Sequence, residues 1–118
     1  MELKDLVKEL NLKIVADGKL DVDVTGGYTS DLMSDVLAKA TAGDIWITNQ
    51  KHINAVAVAS LLGLAGVVMV GGVEPDENAL EKAREENVAL FTSDLTAFDV
   101  VGRLYSLGVR ANGLKVSG

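Results

Sequence analysis

Cysteine is absent from the 118-residue chain, and with it go disulfides, zinc–thiolate sites, cysteine-held iron–sulfur clusters and thiol redox chemistry. Histidine occurs once, at His52. A metal site would therefore need carboxylates for its other ligands, and no suitable spacing of Asp and Glu presents itself. Basic residues are in deficit: 11 Lys and Arg stand against 17 Asp and Glu, a formal charge of −6. They are scattered rather than gathered in a stripe, and the long-range field has the wrong sign for a phosphate backbone, which argues against DNA or RNA binding. Aromatics make up only 4% of the chain while hydrophobic residues make up 48%, so Val, Leu, Ile and Ala must build the core. That bias suits parallel strands buried under helices better than an all-β sandwich.

Long uninterrupted apolar runs are missing too. The longest apolar stretch, residues 55–70, is broken by Ser60, Gly63 and Gly66 and falls short of a membrane span. The opening Met1-Glu2-Leu3-Lys4-Asp5 is charged and lacks the apolar centre of a signal peptide. The expectation is a cytoplasmic protein without membrane contact. The length suits one domain, residues 1–118, with a sizeable core, and the charged share of 24% is too low for a disordered segment.

What is present is periodicity. Leu3, Leu6, Val7 and Leu10 recur at helical spacing, giving an N-terminal amphipathic helix. Leu12-Lys13-Ile14-Val15-Ala16 reads as a strand, Asp17-Gly18 as a tight turn, and Leu20, Val22 and Val24, alternating with Asp21 and Asp23, as a second strand, so a β-hairpin is expected. Gly26-Gly27 breaks that strand, and Thr29 or Ser30 would cap a helix carrying Leu32, Met33, Val36, Leu37 and Ala40, with Asp31 near its positive end. Regular alternation follows: strand 45–48, helix 53–64, strand 67–70, a charged helix opened by Pro75-Asp76 and reaching about Asn87, and strand 88–91. A last helix has Ala97, Phe98, Val101, Leu104 and Tyr105 inward, and Gly108 stops it. Strands and helices alternating at roughly 20 residues mean βαβ units with right-handed crossovers. The fold class expected is thus a small, largely parallel α/β domain, helices packed on the sheet, with an N-terminal helix plus β-hairpin. Residues 110–118 read as an edge strand or a polar tail.

Helix 53–64 is apolar on nearly every face, with Ala55, Val56, Ala57, Val58, Ala59, Leu61 and Leu62 close together. Such a helix must be covered on all sides; its own neighbours or a partner subunit would do so, and a homodimer is the expectation.

In open parallel sheets, ligands bind beyond the carboxyl ends of the strands. Those ends carry Thr48, Asn49, Gln50, Lys51 and His52, then Gly71-Gly72, then Thr92-Ser93-Asp94, with Thr25-Gly26-Gly27 as a fourth segment after the hairpin. Each precedes a helix N-terminus, whose free N–H groups and dipole favour anions. Glycines let a backbone approach a ligand closely, and Thr, Ser, Asn and Gln supply neutral hydrogen bonds. The same residues also serve as ordinary caps and turns. The five consecutive polar residues 48–52 exceed what one cap requires. The candidate ligand-binding set is Gly26, Gly27, Thr48, Asn49, Gln50, His52, Asn54, Gly71, Gly72, Thr92 and Ser93, for a small phosphate-bearing molecule. His52 reads as a capping or ligand-contacting residue rather than a general base, since no orienting partner is identifiable. Asp17, Asp21 and Asp23 fit neither the length nor the terminal Glu of a calcium loop. Gly71-Gly72 is not followed by Gly-Lys-Ser/Thr, and Gly63, Gly66, Gly71 and Gly72 make no dinucleotide fingerprint.

Two segments carry a family resemblance: Asp23-Val24-Thr25-Gly26-Gly27-Tyr28-Thr29-Ser30-Asp31-Leu32-Met33-Ser34-Asp35-Val36, and Asp44-Ile45-Trp46-Ile47-Thr48-Asn49-Gln50-Lys51-His52-Ile53-Asn54-Ala55-Val56-Ala57-Val58-Ala59. Together with Gly71-Gly72-Val73-Glu74-Pro75 and residues 98–108, the chain resembles the DRTGG domain over most of its length, particularly its small stand-alone members labelled as related to HPr kinase. Val24 stands where the name-giving motif has Arg, so any ligand contact by that Arg is missing. The kinase label does not carry over, because the P-loop of HPr kinase has no counterpart in these residues. The resemblance implies a dimerising α/β domain. In larger proteins such domains accompany CBS pairs in regulatory pyrophosphatases, or precede phosphotransacetylase and related domains, as regulatory regions with adenine-nucleotide sensing. Stand-alone members near iron-only hydrogenase genes in anaerobes imply a role in that system.

The function expected is non-catalytic: a homodimeric regulatory or ligand-sensing module for a small phosphate-bearing ligand such as an adenine nucleotide, with no cofactor. The alternative is a protein-interaction or assembly partner of a redox, hydrogenase-associated system with no ligand of its own. Catalysis ranks last, since no nucleophile–base pair, metal cluster or cofactor fingerprint emerges.

Overall fold

The structure, a computed structural model, describes residues 1–112. Along the chain run α1 (Leu3–Glu9), β1 (Lys13–Ala16), β2 (Gly26–Thr29), α2 (Met33–Lys39), β3 (Asp44–Thr48), α3 (Ile53–Leu62), β4 (Gly66–Met69), α4 (Glu77–Glu86), β5 (Leu90–Thr92) and α5 (Ala97–Ser106). The five strands form one sheet in the order β1-β5-β4-β3-β2. β2 to β5 are parallel neighbours, and β1 runs antiparallel to β5. The expected α/β class, the parallel βαβ core and the N-terminal helix are all present.

Because β2 to β5 step across the sheet in sequence order, right-handed crossovers put α2, α3 and α4 on one face. Their side chains Val36, Ala55, Val56, Val58, Ala59, Ala79 and Ala83 share a cluster with Trp46, Val67, Met69 and Leu90. On the opposite face Leu3, Leu6, Val7 and Leu10 of the α1 segment and Val100 and Leu104 of α5 pack against Ile45, Ile47, Val68 and Phe91. The alternation along β3 and β4 is thus apolar on both sides, and every residue of both strands is buried, as a doubly covered sheet requires.

The hairpin is not formed. β1 pairs with β5, not with residues 20–24. The second arm instead returns along the N-terminus: Leu3 N donates to Val22 O at 2.8 Å, Lys4 N to Leu20 O at 2.9 Å, and Val24 N to Met1 O at 2.9 Å. The Val22 and Leu20 carbonyls satisfy the first free N–H groups of α1, which has no side-chain cap. Leu20 and Val22 then pack beneath α1 rather than extending the sheet.

Gly26-Gly27 does not break a strand either; it begins β2. A Cβ at Gly26 would lie 2.5 Å from Asn112 Cβ and 2.7 Å from Asp44 Oδ1. Glycine is there because another stretch of backbone passes close by. Gly27 N donates to Arg110 O at 3.1 Å, so residues 109–112 lie along the outer edge of β2. The rest of the C-terminal edge strand or tail, residues 113–118, falls outside the described residues.

Two helices differ in their exposed faces. α3 ends at Leu62, two residues short of expectation, because Gly63 takes the left-handed conformation at φ 68°. Its Ala55, Val56, Val58 and Ala59 are buried between the sheet and its neighbours, leaving Ala57 and Leu61 outward. α5 is rotated relative to expectation. Val100 and Leu104 are buried, whereas Phe98 is 86% and Tyr105 59% exposed. Residues 97, 100, 101 and 104 satisfy the helical period by themselves, so the two aromatics face outward.

Candidate functional site

At the carboxyl end of the sheet, β3 finishes in Thr48, whose side chain is 1% exposed. Thr48 Oγ1 donates to Asp31 Oδ1 at 2.8 Å and accepts from Gln50 N at 3.1 Å. Asp31 Oδ1 also accepts from Asn49 N at 2.9 Å, and Gln50 Nε2 donates to Asp31 O at 2.8 Å. The loop before α2 is itself fixed, since Trp46 Nε1 donates to Ser30 O at 2.9 Å and Thr29 Oγ1 to Ile47 O at 3.0 Å. The β3–α3 connection is therefore clamped to the β2–α2 connection by one carboxylate and its backbone.

Beyond the clamp, Asn49, Lys51, His52 and Asn54 are exposed around the start of α3. His52 is the α3 N-cap residue but gives no side-chain cap bond. Its Nδ1 lies 2.6 Å from Asp76 Oδ2. A carboxylate only accepts, so Nδ1 carries the proton and Nε2 is left for an outside partner. Asp76, the N-cap residue of α4, also donates its N–H to Lys51 O at 3.0 Å and faces Lys51 Nζ at 4.0 Å. An orienting partner for His52 does exist, then, but no side chain among the described residues hydrogen-bonds its Nε2.

Next along the same end, Gly71 and Gly72 turn the chain with φ of 74° and 76°, a conformation that favours glycine. Their N–H groups are not free: Gly71 N donates to Leu95 O at 2.8 Å and Gly72 N to Ser93 O at 3.1 Å. Ser93 N in turn donates to Met69 O at 3.0 Å, and Ser93 Oγ accepts from Leu95 N at 3.2 Å. Thr92 and Ser93, with Lys13, Glu74, Asp94 and Arg103, line a cleft of about 520 Å³ on the α1 and α5 side.

The parallel sheet therefore brings nine of the eleven candidates, Thr48, Asn49, Gln50, His52, Asn54, Gly71, Gly72, Thr92 and Ser93, to one end. Gly26 and Gly27 lie at the other, beside Asp44 at the amino end of β3. Gly27 instead lines an apolar groove of about 340 Å³ between β2 and α5, together with Tyr28, Thr29, Ile47, Val101, Leu104 and Tyr105. There the Arg110 guanidinium stacks 3.6 Å from the Tyr105 ring centroid and Nη1 donates to Tyr105 O at 2.8 Å. Asp31, Asp76, Tyr105 and Arg110 were not on the candidate list.

Electrostatics single out one pair near the clamp. Tyr28 Oη donates to Asp35 Oδ2 at 2.7 Å. That hydrogen bond, helped by burial, pushes the phenol up to about 12. The same bond, with help from Ser30 and Lys39, holds the Asp35 carboxyl below its ordinary value. Among the described residues, no group of three or more His, Asp or Glu side chains could hold a metal ion. Among the described residues, no helix is long and apolar enough to cross a membrane.

An α/β domain whose sequential parallel strands carry three helices on one face and two on the other defines the class. The family model of the DRTGG domain matches residues 5–107, and the chain belongs to that family. No curated protein matches it in sequence. Among solved structures it resembles the CBS and DRTGG domains of the regulatory region of Clostridium perfringens pyrophosphatase, complexed with the activator diadenosine tetraphosphate. The TM-score is 0.73 at 15% identity, covering 97% of this chain and 52% of that one. This chain thus spans about half the length of that structure, and at such identity the likeness is one of fold.

In this fold the residues at the family motif, Asp23-Val24-Thr25-Gly26-Gly27, form a clasp at the amino end. Thr25 N donates to Gly43 O at 3.0 Å and Asn112 Nδ2 to Thr25 Oγ1 at 3.0 Å. A Cβ at Gly43 would collide with Thr25 Oγ1.

Proposed function

We propose that the chain is a non-catalytic regulatory module that senses a small phosphate-bearing ligand, with adenine nucleotides as the leading class, and works as a homodimer in the cytoplasm. The observation that carries the reading is the clamped β3–α3 connection. Asp31 occupies the hydrogen-bonding groups of Thr48 and the Asn49 N–H, which makes the loop rigid and leaves Asn49, Lys51, His52 and Asn54 exposed beside a helix start. Pre-ordered polar groups bind an anion without a further ordering cost. In this reading Thr48 and Gln50 shape the site, while His52 Nε2, Asn49 and Asn54 touch the ligand. Gly71, Gly72, Thr92 and Ser93 form its neighbouring wall through the turn geometry described above, while Gly26 and Gly27, at the other end of the sheet, take no part in this reading. The structure this fold resembles supports the ligand class: it is a regulatory region complexed with diadenosine tetraphosphate.

Thermal unfolding against nucleoside mono-, di- and triphosphates and dinucleotides, with and without magnesium, tests the proposal. A ligand that binds only the folded chain adds roughly 2.7 kcal/mol at 100 times its Kd, a shift of several degrees. A saturable shift with one nucleotide class, lost in His52→Ala, is the expected result; no shift across the panel defeats it.

A second reading, a protein-interaction or assembly partner of a redox, hydrogenase-associated system, draws on the exposure of Phe98 and Tyr105 on α5. Its mark is a partner recovered from lysate whose capture is indifferent to nucleotide.

A further inference from the structure

Four charged side chains that the nucleotide reading leaves unused meet at one corner of the molecule. Where α1 ends, β1 begins and β5 finishes, a cleft of about 520 Å³ opens with Lys13, Glu74, Asp94 and Arg103 on its walls. All four are exposed, and among the described residues none of them takes part in an ion pair. Two cations and two carboxylates thus line one cleft with their charges uncommitted. In a chain of net charge −6, this corner is balanced in sign.

Thr92 gives the cleft a second mark. It belongs to the lining yet is only 6% exposed. Ser93 Oγ accepts from Leu95 N and Thr96 Oγ1 from Asp99 N, but the Thr92 hydroxyl has no partner among the described residues. A buried hydroxyl without a partner costs free energy, and a ligand in the cleft supplies the missing one. Lys13 is the register partner of Thr92 across β1 and β5, so the two side chains leave the same face of the sheet side by side. Leu10 and Leu95 complete the lining with apolar surface.

Charge decides what fits. A plain anion would meet Lys13 and Arg103 but also two unpaired carboxylates, and a plain cation would meet the reverse. Like charges brought together in this way disfavour both. A molecule carrying an ammonium and a carboxylate satisfies all four side chains, and a free α-amino acid does so with few atoms. Its ammonium faces Glu74 and Asp94, its carboxylate faces Lys13 and Arg103 and accepts from the Thr92 hydroxyl, and its side chain lies on Leu10 and Leu95. The cleft is also within the range of about 300–1,000 Å³ typical of small-molecule sites.

We infer that this cleft is a binding site for a free amino acid, separate from the loop around His52. It shares the turn at Thr92 and Ser93 with the nucleotide reading but none of the groups that touch the nucleotide there, and it does not depend on that reading.

The test is heteronuclear NMR of the full chain, titrated with each of the common amino acids in turn. Saturable shifts at Lys13, Thr92 and Arg103 are expected with at least one amino acid of apolar side chain. The N-acetyl and amide derivatives of that amino acid, each lacking one charge, should bind about tenfold more weakly or worse, as loss of a charged hydrogen bond implies. Glu74→Gln and Arg103→Gln, both at exposed positions, should weaken binding by a similar factor and keep the folded spectrum. Thr92→Val removes only the unpartnered hydroxyl, and should weaken binding without lowering the unfolding midpoint. No saturable shift at these residues with any amino acid overturns the site. Shifts reproduced there by inorganic phosphate, or by the N-acetyl derivative at undiminished affinity, overturn the assignment of an amino acid and leave an anion site. Binding unchanged in both Glu74→Gln and Arg103→Gln overturns it as well, because the amino acid then sits elsewhere. Nucleotide-induced thermal shifts, present or absent, decide the loop around His52 separately.

Discussion

Asp31 Oδ1 accepts from the buried hydroxyl of Thr48 at 2.8 Å and from Asn49 N at 2.9 Å, so one carboxylate oxygen ties the end of β3 to the loop before α2. Hydrogen bonds to a charged acceptor are worth more than neutral ones, and Thr48 has nowhere wet to turn. Asp31→Ala is expected to destabilise the chain by about 1–2 kcal/mol. It should also diminish any nucleotide-induced thermal shift, since the loop is then no longer held in place. Urea unfolding gives the first quantity. A variant as stable as wild type would show that the clamp contributes nothing.

His52 and Gln50 lie outside the clusters that form the core. His52→Ala and Gln50→Ala should each change stability by less than ~1 kcal/mol, as expected away from the core, while weakening ligand binding. Gln50→Ala is the more sensitive of the two, because its amide donates to Asp31 O. Were both variants to unfold instead, the polar run would be a structural cap and the sensing proposal would lose its site.

Gly26 is read here as a packing requirement and not as a ligand contact. A methyl group there would come within 2.5 Å of Asn112 Cβ and 2.7 Å of Asp44 Oδ1. Asp44 is 1% exposed and has little room to move. Overpacking of this kind typically costs about 1–3 kcal/mol. Gly26→Ala should therefore lower the unfolding midpoint yet leave the affinity for any nucleotide found by the panel unchanged. Lost affinity at full stability would return the glycine pair to the ligand site.

Much of the fold was legible because its signals are local. The β-branched runs at 45–48 and 67–70 and the intervening helices carry their own periodicity, and parallel order follows from the handedness of crossovers. What misled was long-range. Asp17-Gly18 is a tight-turn signal, but β1 finds its partner in β5, far along the chain, while Leu20 and Val22 are claimed by α1. Gly26-Gly27 looks like a strand breaker until residues 109–112 are laid beside it. On α5, residues 98, 101 and 105 keep helical spacing as well as 97, 100 and 104 do, and only packing on the sheet chooses between the faces. The polar run at 48–52 stood out by composition. Its two organisers, Asp31 and Asp76, could not, because each meets its partner across a separation of 17 or 24 residues.

The Tyr28–Asp35 pair makes stability depend on pH in a defined window. The hydrogen bond to Asp35 raises the folded phenol from its ordinary 10.0 to about 12. Between those values the unfolded chain has lost its tyrosine proton while the folded chain keeps it. The contribution is fully present below about pH 10 and is lost as pH climbs through 12. Asp35 works in the opposite direction: its carboxyl is held low, so its contribution is present above the ordinary carboxylate range and lost as pH falls through the folded value. Tyr28→Phe should therefore flatten the alkaline limb of a stability–pH profile between pH 10 and 12 relative to wild type. Asp35→Asn should weaken the acid limb and, in an ultraviolet titration, bring the Tyr28 phenolate in at lower pH. If wild type and Tyr28→Phe lose stability in parallel above pH 10, the phenol–carboxylate bond contributes nothing to the folded state.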